Sequence, residues 1–297
     1  MDTIRRLPAS AGAEWLLGGF ALLRKAPLAL GTLGALWGLL GAVVVFLAAV
    51  VPALAAGLQL LLAIAGPVLF AGLLWAVREV RDDRPALPGH LARGLQDGRV
   101  PGLLATLLPQ VVAGLVLGML LLVLVGSEQL QRLSAVSAEL NALAASGAQP
   151  TPEQVQAMVA ELPAGRILLW LLMGLCVAVA VGMTVFVAVP RILFDGRPGL
   201  SAMGDSLRAS FANLPAVLVF TLVTLVALFA VYFAVMLLAL LAQAVGGPMF
   251  GALVAQVLLM AVVMPLLAGA VLVAWGQLFG EAVPAVAAGL AQGRLEA

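Results

Sequence analysis

Residues 26–77 read APLALGTLGALWGLLGAVVVFLAAVVPALAAGLQLLLAIAGPVLFAGLLWAV, with no charged side chain between Lys25 and Arg78. As one helix these 52 residues would run about 78 Å at 1.5 Å per residue, against a hydrocarbon core of ~30 Å. The stretch must therefore fold back on itself, and Pro52 and Gly57 mark the corner. That predicts spans over 27–51 and 53–77. Working outward, apolar runs predict a third span over 100–125 and a fourth over 167–189. A second uncharged stretch, 209–280, is interrupted by Gln243-Ala244-Val245-Gly246-Gly247-Pro248 and predicts spans over 216–241 and 252–278. The expected fold is all-α, a polytopic transmembrane helical bundle of six spans forming a single membrane domain over 1–297.

Composition agrees with that reading and removes several functions. The chain is 64% hydrophobic and 10% charged, where soluble domains carry roughly 25% charged residues. Its net charge of +1 offers no basic face for nucleic acid. A single cysteine, Cys176, excludes an intramolecular disulfide, and a single histidine, His90, excludes a histidine metal cluster. Arg5, Arg6, Pro8, Glu14, Arg24 and Lys25 break up the first 26 residues. No cleavable signal is expected there, and the first span should serve as an uncleaved anchor.

Basic residues set the expected orientation. Arg5, Arg6, Arg24 and Lys25 precede the first span, and Arg78, Arg81, Arg84, Arg93 and Arg99 follow the second. Arg191, Arg197 and Arg208 separate the fourth and fifth, and Arg294 lies in the tail. Only Arg132 and Arg166 fall on the other side, so 13 of the 15 basic residues share one face of a six-span bundle. The positive-inside rule makes that face cytoplasmic, with both termini on it.

Between spans three and four, Leu130, Leu133, Val136, Leu140 and Leu143 recur at helical spacing, predicting an amphipathic helix over 128–145. Thr151-Pro152-Glu153-Gln154 has the pattern of a second helix start, so the extracytoplasmic loop 126–166 is expected to be a helical hairpin. A short lead-in precedes each pair of spans: Leu16-x-x-Gly19-Phe20 before Pro27, Leu91-x-x-Gly94-Leu95 before Pro101, and Leu207-x-x-Ser210-Phe211 before Pro215. Such segments suit short amphipathic helices in the membrane interface, with basic side chains near anionic headgroups.

The opening run Pro8-Ala9-x-x-Gly12-x-x-Trp15-Leu16-x-x-Gly19-Phe20-x-Leu22-x-Arg24-Lys25-x-Pro27-Leu28 resembles the signature of a family of proteobacterial six-span inner-membrane proteins of unknown function. Ser206-Leu207-Arg208-Ala209-Ser210-Phe211-x-Asn213-Leu214-Pro215 resembles that family's segment before its fifth span. The resemblance implies a multi-pass protein of the bacterial inner membrane and no particular activity.

No predicted span contains Asp, Glu, Lys, Arg or His. Proton-coupled transport and hydrolysis both need ionisable groups that the spans lack. His90 follows Pro88-Gly89 as a turn residue, and Cys176 has no basic neighbour to activate it. Asp82-Asp83, flanked by Arg81 and Arg84, reads as a solvated charge cluster. No catalytic residue, metal or cofactor is expected. The leading expectation is a non-enzymatic protein that binds membrane lipids or a partner, either a second copy or another membrane protein. Its contacts with anionic lipid would be Arg24, Lys25, Arg78, Arg191 and Arg208. The alternative is a transporter or channel for an uncharged or amphipathic solute, with Thr106, Pro109, Gln110 and Pro265 along the path. Three hairpin units would accompany the first reading, and two inverted three-helix halves the second.

Overall fold

The computed structural model describes residues 4–96, 98–146, 151, 156 and 163–280. Among these the regular structure is helical throughout: α1 (Ala11–Lys25), α2 (Pro27–Val50), α3 (Pro52–Arg81), a 3₁₀ helix (Pro88–Leu95), α4 (Val100–Ala105), α5 (Leu108–Leu124), α6 (Ser127–Ala145), α7 (Ala164–Val185), α8 (Ala188–Asp195), α9 (Gly199–Ala212) and α10 (Leu214–Phe279). Among the described residues, five helical stretches are long and apolar enough to cross a membrane: Pro27–Ala48, Ala53–Arg81, Val100–Leu124, Ala164–Asp195 and Leu214–Phe279.

The first hairpin turns at Pro52, with Val51 leaving helical geometry and Pro52 opening α3, whereas Gly57, expected at the corner, lies within the helix. Proline suits that place because its missing N–H is one of the unpaired donors of a first turn. The last stretch has 66 residues, and Gly247 at φ 82°, ψ 176° interrupts it. Only glycine adopts that backbone without strain. Beyond it the chain doubles back. Val235, Ala239 and Ala255 share a buried cluster, and a side-chain carbon on Gly251 would meet Ala239 and Gln243. The two limbs, 214–246 and 248–279, therefore pack as a hairpin.

The chain divides into two compact units, Leu108–Gly182 and the remainder. The larger has a core built around Trp15, Leu30, Leu33, Leu73, Leu74, Leu103, Leu193, Leu272 and Trp275. Here α1 lies tight against both limbs of α10. A Cβ on Gly12 would overlap the backbone of Ala216 and Phe220, and one on Gly19 would sit 2.5 Å from the Leu266 carbonyl. Gly34 and Gly38 likewise let α2 close on α10, where a Cβ on Gly38 would lie 2.9 Å from the Gln256 carbonyl. Small residues permit this approach, and within a membrane such packing replaces the hydrophobic drive that water would supply. Gly19→Leu is therefore expected to destabilise the chain by at least ~1–3 kcal/mol. Gly57→Ala, with open space around it, should leave the thermal unfolding midpoint in detergent unchanged.

In the smaller unit, Trp170 Nε1 donates to the Leu117 carbonyl at 2.9 Å and ties α7 to α5. The amphipathic helix expected over 128–145 is present as α6, with Leu130, Leu133 and Val136 partly covered. Its proposed hairpin partner falls almost wholly outside the described residues.

Two predicted spans are broken rather than continuous. Span three divides at Thr106-Leu107, so Pro109 opens α5 instead of kinking a helix interior. Span four divides at Phe186-Val187.

Candidate membrane-interface site

The three lead-ins occupy equivalent environments. Gly19 abuts the backbone of Leu266 and Ala270 in the second limb of the third hairpin. Gly94 abuts the Val68 carbonyl in α3, the second helix of the first hairpin. Ser210 donates to the Met183 carbonyl at 3.2 Å, in the second helix of the second hairpin. The small residue of each lead-in thus meets a helix other than its own, through Leu266 and Ala270, Val68 and Met183 in turn. Val68 and Leu266 each follow a proline, Pro67 and Pro265, within their helices. The residue after each small one points outward: Phe20 is 54% exposed, Leu95 62% and Phe211 64%. The middle lead-in departs from expectation in being 3₁₀, the geometry short connectors adopt, and it begins at Pro88-Gly89.

Ser206, immediately before the third lead-in, mends a break in the backbone. Where α7 breaks, the Val187 N–H donates to Ser206 Oγ at 3.1 Å, and Ser206 donates onward to the Met183 carbonyl at 2.8 Å. One buried hydroxyl thereby satisfies both sides of a backbone interruption, which apolar surroundings would otherwise penalise.

Asn213, in the second segment that carried the family resemblance, binds the chain just ahead of the first. Asn213 Oδ1 accepts from the Leu7 N–H at 2.7 Å, and its amide donates to the carbonyls of Arg5 and Ala209, both at 3.0 Å. Trp15 is fully buried against Phe186 and Phe220, with ring centroids 5.6 and 5.8 Å away, and its indole donates to Gln277 Oε1 at 2.8 Å. Glu14 accepts from Gln277 in turn.

The basic residues singled out from sequence separate into two groups. Arg24 is exposed, and Arg208 is 72% exposed with Asp205 4.0 Å away. Lys25 pairs with Asp83 at 2.7 Å and donates to the Arg81 carbonyl at 3.2 Å. Arg78 lies over the Phe194 ring at 4.5 Å. Arg191 departs from its expected role as a lipid contact. Its side chain is 4% exposed, donates to Asp195 at 2.6 Å and to Asp205 at 3.0 Å, and covers the Phe279 ring at 4.2 Å. A buried guanidinium requires carboxylate partners, and these two hold it inside the protein. Trp275 Nε1 and Arg197 complete the cluster, donating to Asp195 at 3.0 Å and Asp205 at 3.1 Å.

Asp195, Asp205 and Trp275 were not singled out by sequence reasoning, and Ser206 appeared only within the segment of family resemblance. The i,i+4 spacing of Arg191 and Asp195 offered a local signal. Trp275, 80 positions from Asp195, offered none.

The residues of the alternative path are divided between the two units. Thr106 is buried and donates to the Leu103 carbonyl at 2.6 Å, inside the larger unit. Pro265 is buried in that unit against Gly34. Pro109 and Gln110 belong to the smaller unit, and Gln110 is exposed.

Arg84 is clamped through two nitrogens by Glu79. That hydrogen bonding and the nearby carboxylate charge raise its pKa above the ordinary arginine value. None of the protein-family models matches this chain, and none of the curated proteins or solved structures does.

Proposed function

We propose that this chain is a non-enzymatic, multi-pass protein of the bacterial inner membrane that binds phospholipid, and through it organises neighbouring membrane components. Counting the two limbs of α10 separately gives six spans, with both termini cytoplasmic and the lead-ins at the cytoplasmic interface. Membership of the proteobacterial six-span family resembled by residues 8–28 and 206–215 belongs to the same proposal.

One observation carries the reading. The three lead-ins each turn a small residue inward and a large apolar residue outward. In two of them an exposed arginine lies within one helical turn of that apolar residue, Arg24 beside Phe20 and Arg208 beside Phe211. An outward apolar group next to a cation matches the boundary between acyl chains and anionic headgroups. The like placement of a small residue in each of the three lead-ins also supports three hairpin units over the two inverted halves a transporter would use.

The test is native mass spectrometry of the chain extracted in mild detergent. Wild type should retain anionic phospholipid, and R24Q/R208Q should bind it roughly 30-fold more weakly, at ~1 kcal/mol per interfacial charge. Lipid-free wild type, or a double variant indistinguishable from it, would sink the proposal.

A further inference from the structure

At the foot of the first hairpin, where α2 begins and α3 ends, lies a groove of about 360 Å³ lined by Lys25, Ala26, Ala29, Val80, Asp83, Arg84, Pro85 and Ala86. Small-molecule sites run from roughly 300 to 1,000 Å³. Ala26, Ala29, Val80, Pro85 and Ala86 make its surface largely apolar. Lys25, Arg84 and Asp83 supply two cations and one carboxylate.

Two features set this groove apart from ordinary surface charge. Asp83 sits at φ 60°, the single non-glycine residue with positive φ among the described residues. That left-handed backbone is uncommon for a residue with a side chain. Here it accompanies a carboxylate that is 84% exposed yet paired with Lys25. Arg84 is held in place by Glu79 and lies 3.5 Å from Asp82, with Nη1 outside the two-nitrogen clamp. Arg84 is therefore preorganised, while Lys25 is held by its exposed pair with Asp83 and by the Arg81 carbonyl.

Resting on the lipid-binding reading above, we infer that this groove takes the headgroup of a zwitterionic phospholipid bearing a primary ammonium. The phosphodiester meets Lys25 and Arg84, the ammonium meets Asp83, and the glycerol end lies on Ala26, Ala29 and Val80. Binding opens the Lys25–Asp83 pair and gives each partner an opposite charge from the ligand. An ion pair so exposed is easily exchanged. A primary ammonium can donate hydrogen bonds to Asp83, whereas a quaternary one cannot, so the carboxylate discriminates between otherwise equal lipids.

The experiment titrates the full-length chain in detergent with phosphatidylethanolamine, phosphatidylcholine and phosphatidylglycerol of identical acyl chains, read by native mass spectrometry. Wild type should prefer phosphatidylethanolamine to phosphatidylcholine. Asp83→Asn should lower phosphatidylethanolamine binding roughly tenfold and abolish that preference. Lys25→Gln should weaken both zwitterionic lipids together, because both carry the phosphodiester. Asp83 is solvated, so its amide variant should fold normally, and an unchanged unfolding midpoint checks this. Wild type without the preference, or Asp83→Asn retaining it, would overturn the inference. Retained phosphatidylglycerol in either of those cases would leave the broader lipid-binding reading standing. Failure of all three lipids to bind would remove both.

Discussion

Arg191→Ala is expected to destabilise the folded chain by about 3–5 kcal/mol, the cost of removing one partner from a buried ion pair. The substitution leaves Asp195 and Asp205 facing each other's charge without the guanidinium that joins them. Asp205 keeps Arg197 at 3.1 Å, and Asp195 keeps the Trp275 indole at 3.0 Å. Neither replaces a buried cation. Arg191→Met should be nearly as damaging, since it restores volume but not charge. Arg208→Gln is the internal comparison: its partner is the same Asp205, yet the arginine is 72% exposed, so the loss should be about 0–1 kcal/mol. Thermal unfolding in detergent measures all three. Equal midpoints for Arg191→Ala and Arg208→Gln would show that the cluster is not the buried network described above.

Trp15→Ala should be comparably severe, about 3–5 kcal/mol for deleting a large, fully buried aromatic. Trp15 joins α1 to the Phe186 break between α7 and α8 and to Phe220 in α10. Its loss opens a cavity at the point where three elements meet. Trp15→Phe keeps most of the ring contact and surrenders the indole hydrogen bond to Gln277. That variant should lose only about 0.5–1.5 kcal/mol. A small effect of Trp15→Ala would mean that α1 rests loosely on the bundle, as a purely interfacial helix would.

The comparison of these two sites shows what could be read in advance. Trp15, Gly12 and Gly19 were visible through the family resemblance of residues 8–28, and Gly19 also through the lead-in pattern. Their meaning was not, because Ala216, Leu266 and Gln277 lie some 200 or more positions away. Arg191 was visible as a basic residue beside an apolar run, which by the statistics of membrane proteins suggests a headgroup contact. Its burial follows from Asp205 and Phe279, brought over it by α9 and the end of α10. The broken spans were half legible. Pro109 announced a disturbance in span three, but nothing local announced the interruption at Val187, which rests on a serine hydroxyl from another helix.

By itself the sequence determined that the chain is helical and suited to a membrane. The length of each uncharged run, measured against the thickness of a bilayer, requires helices that turn near Pro52 and within 243–248, because unpaired backbone cannot remain in hydrocarbon. Only the tertiary structure decided which helix faces are internal, which arginine is enclosed, and which backbone each lead-in's small residue meets. Those outcomes depend on close approach between distant segments, where a missing Cβ or one well-placed carboxylate determines the packing. Hydropathy is an average over neighbours in the chain, and such contacts join residues that are not neighbours.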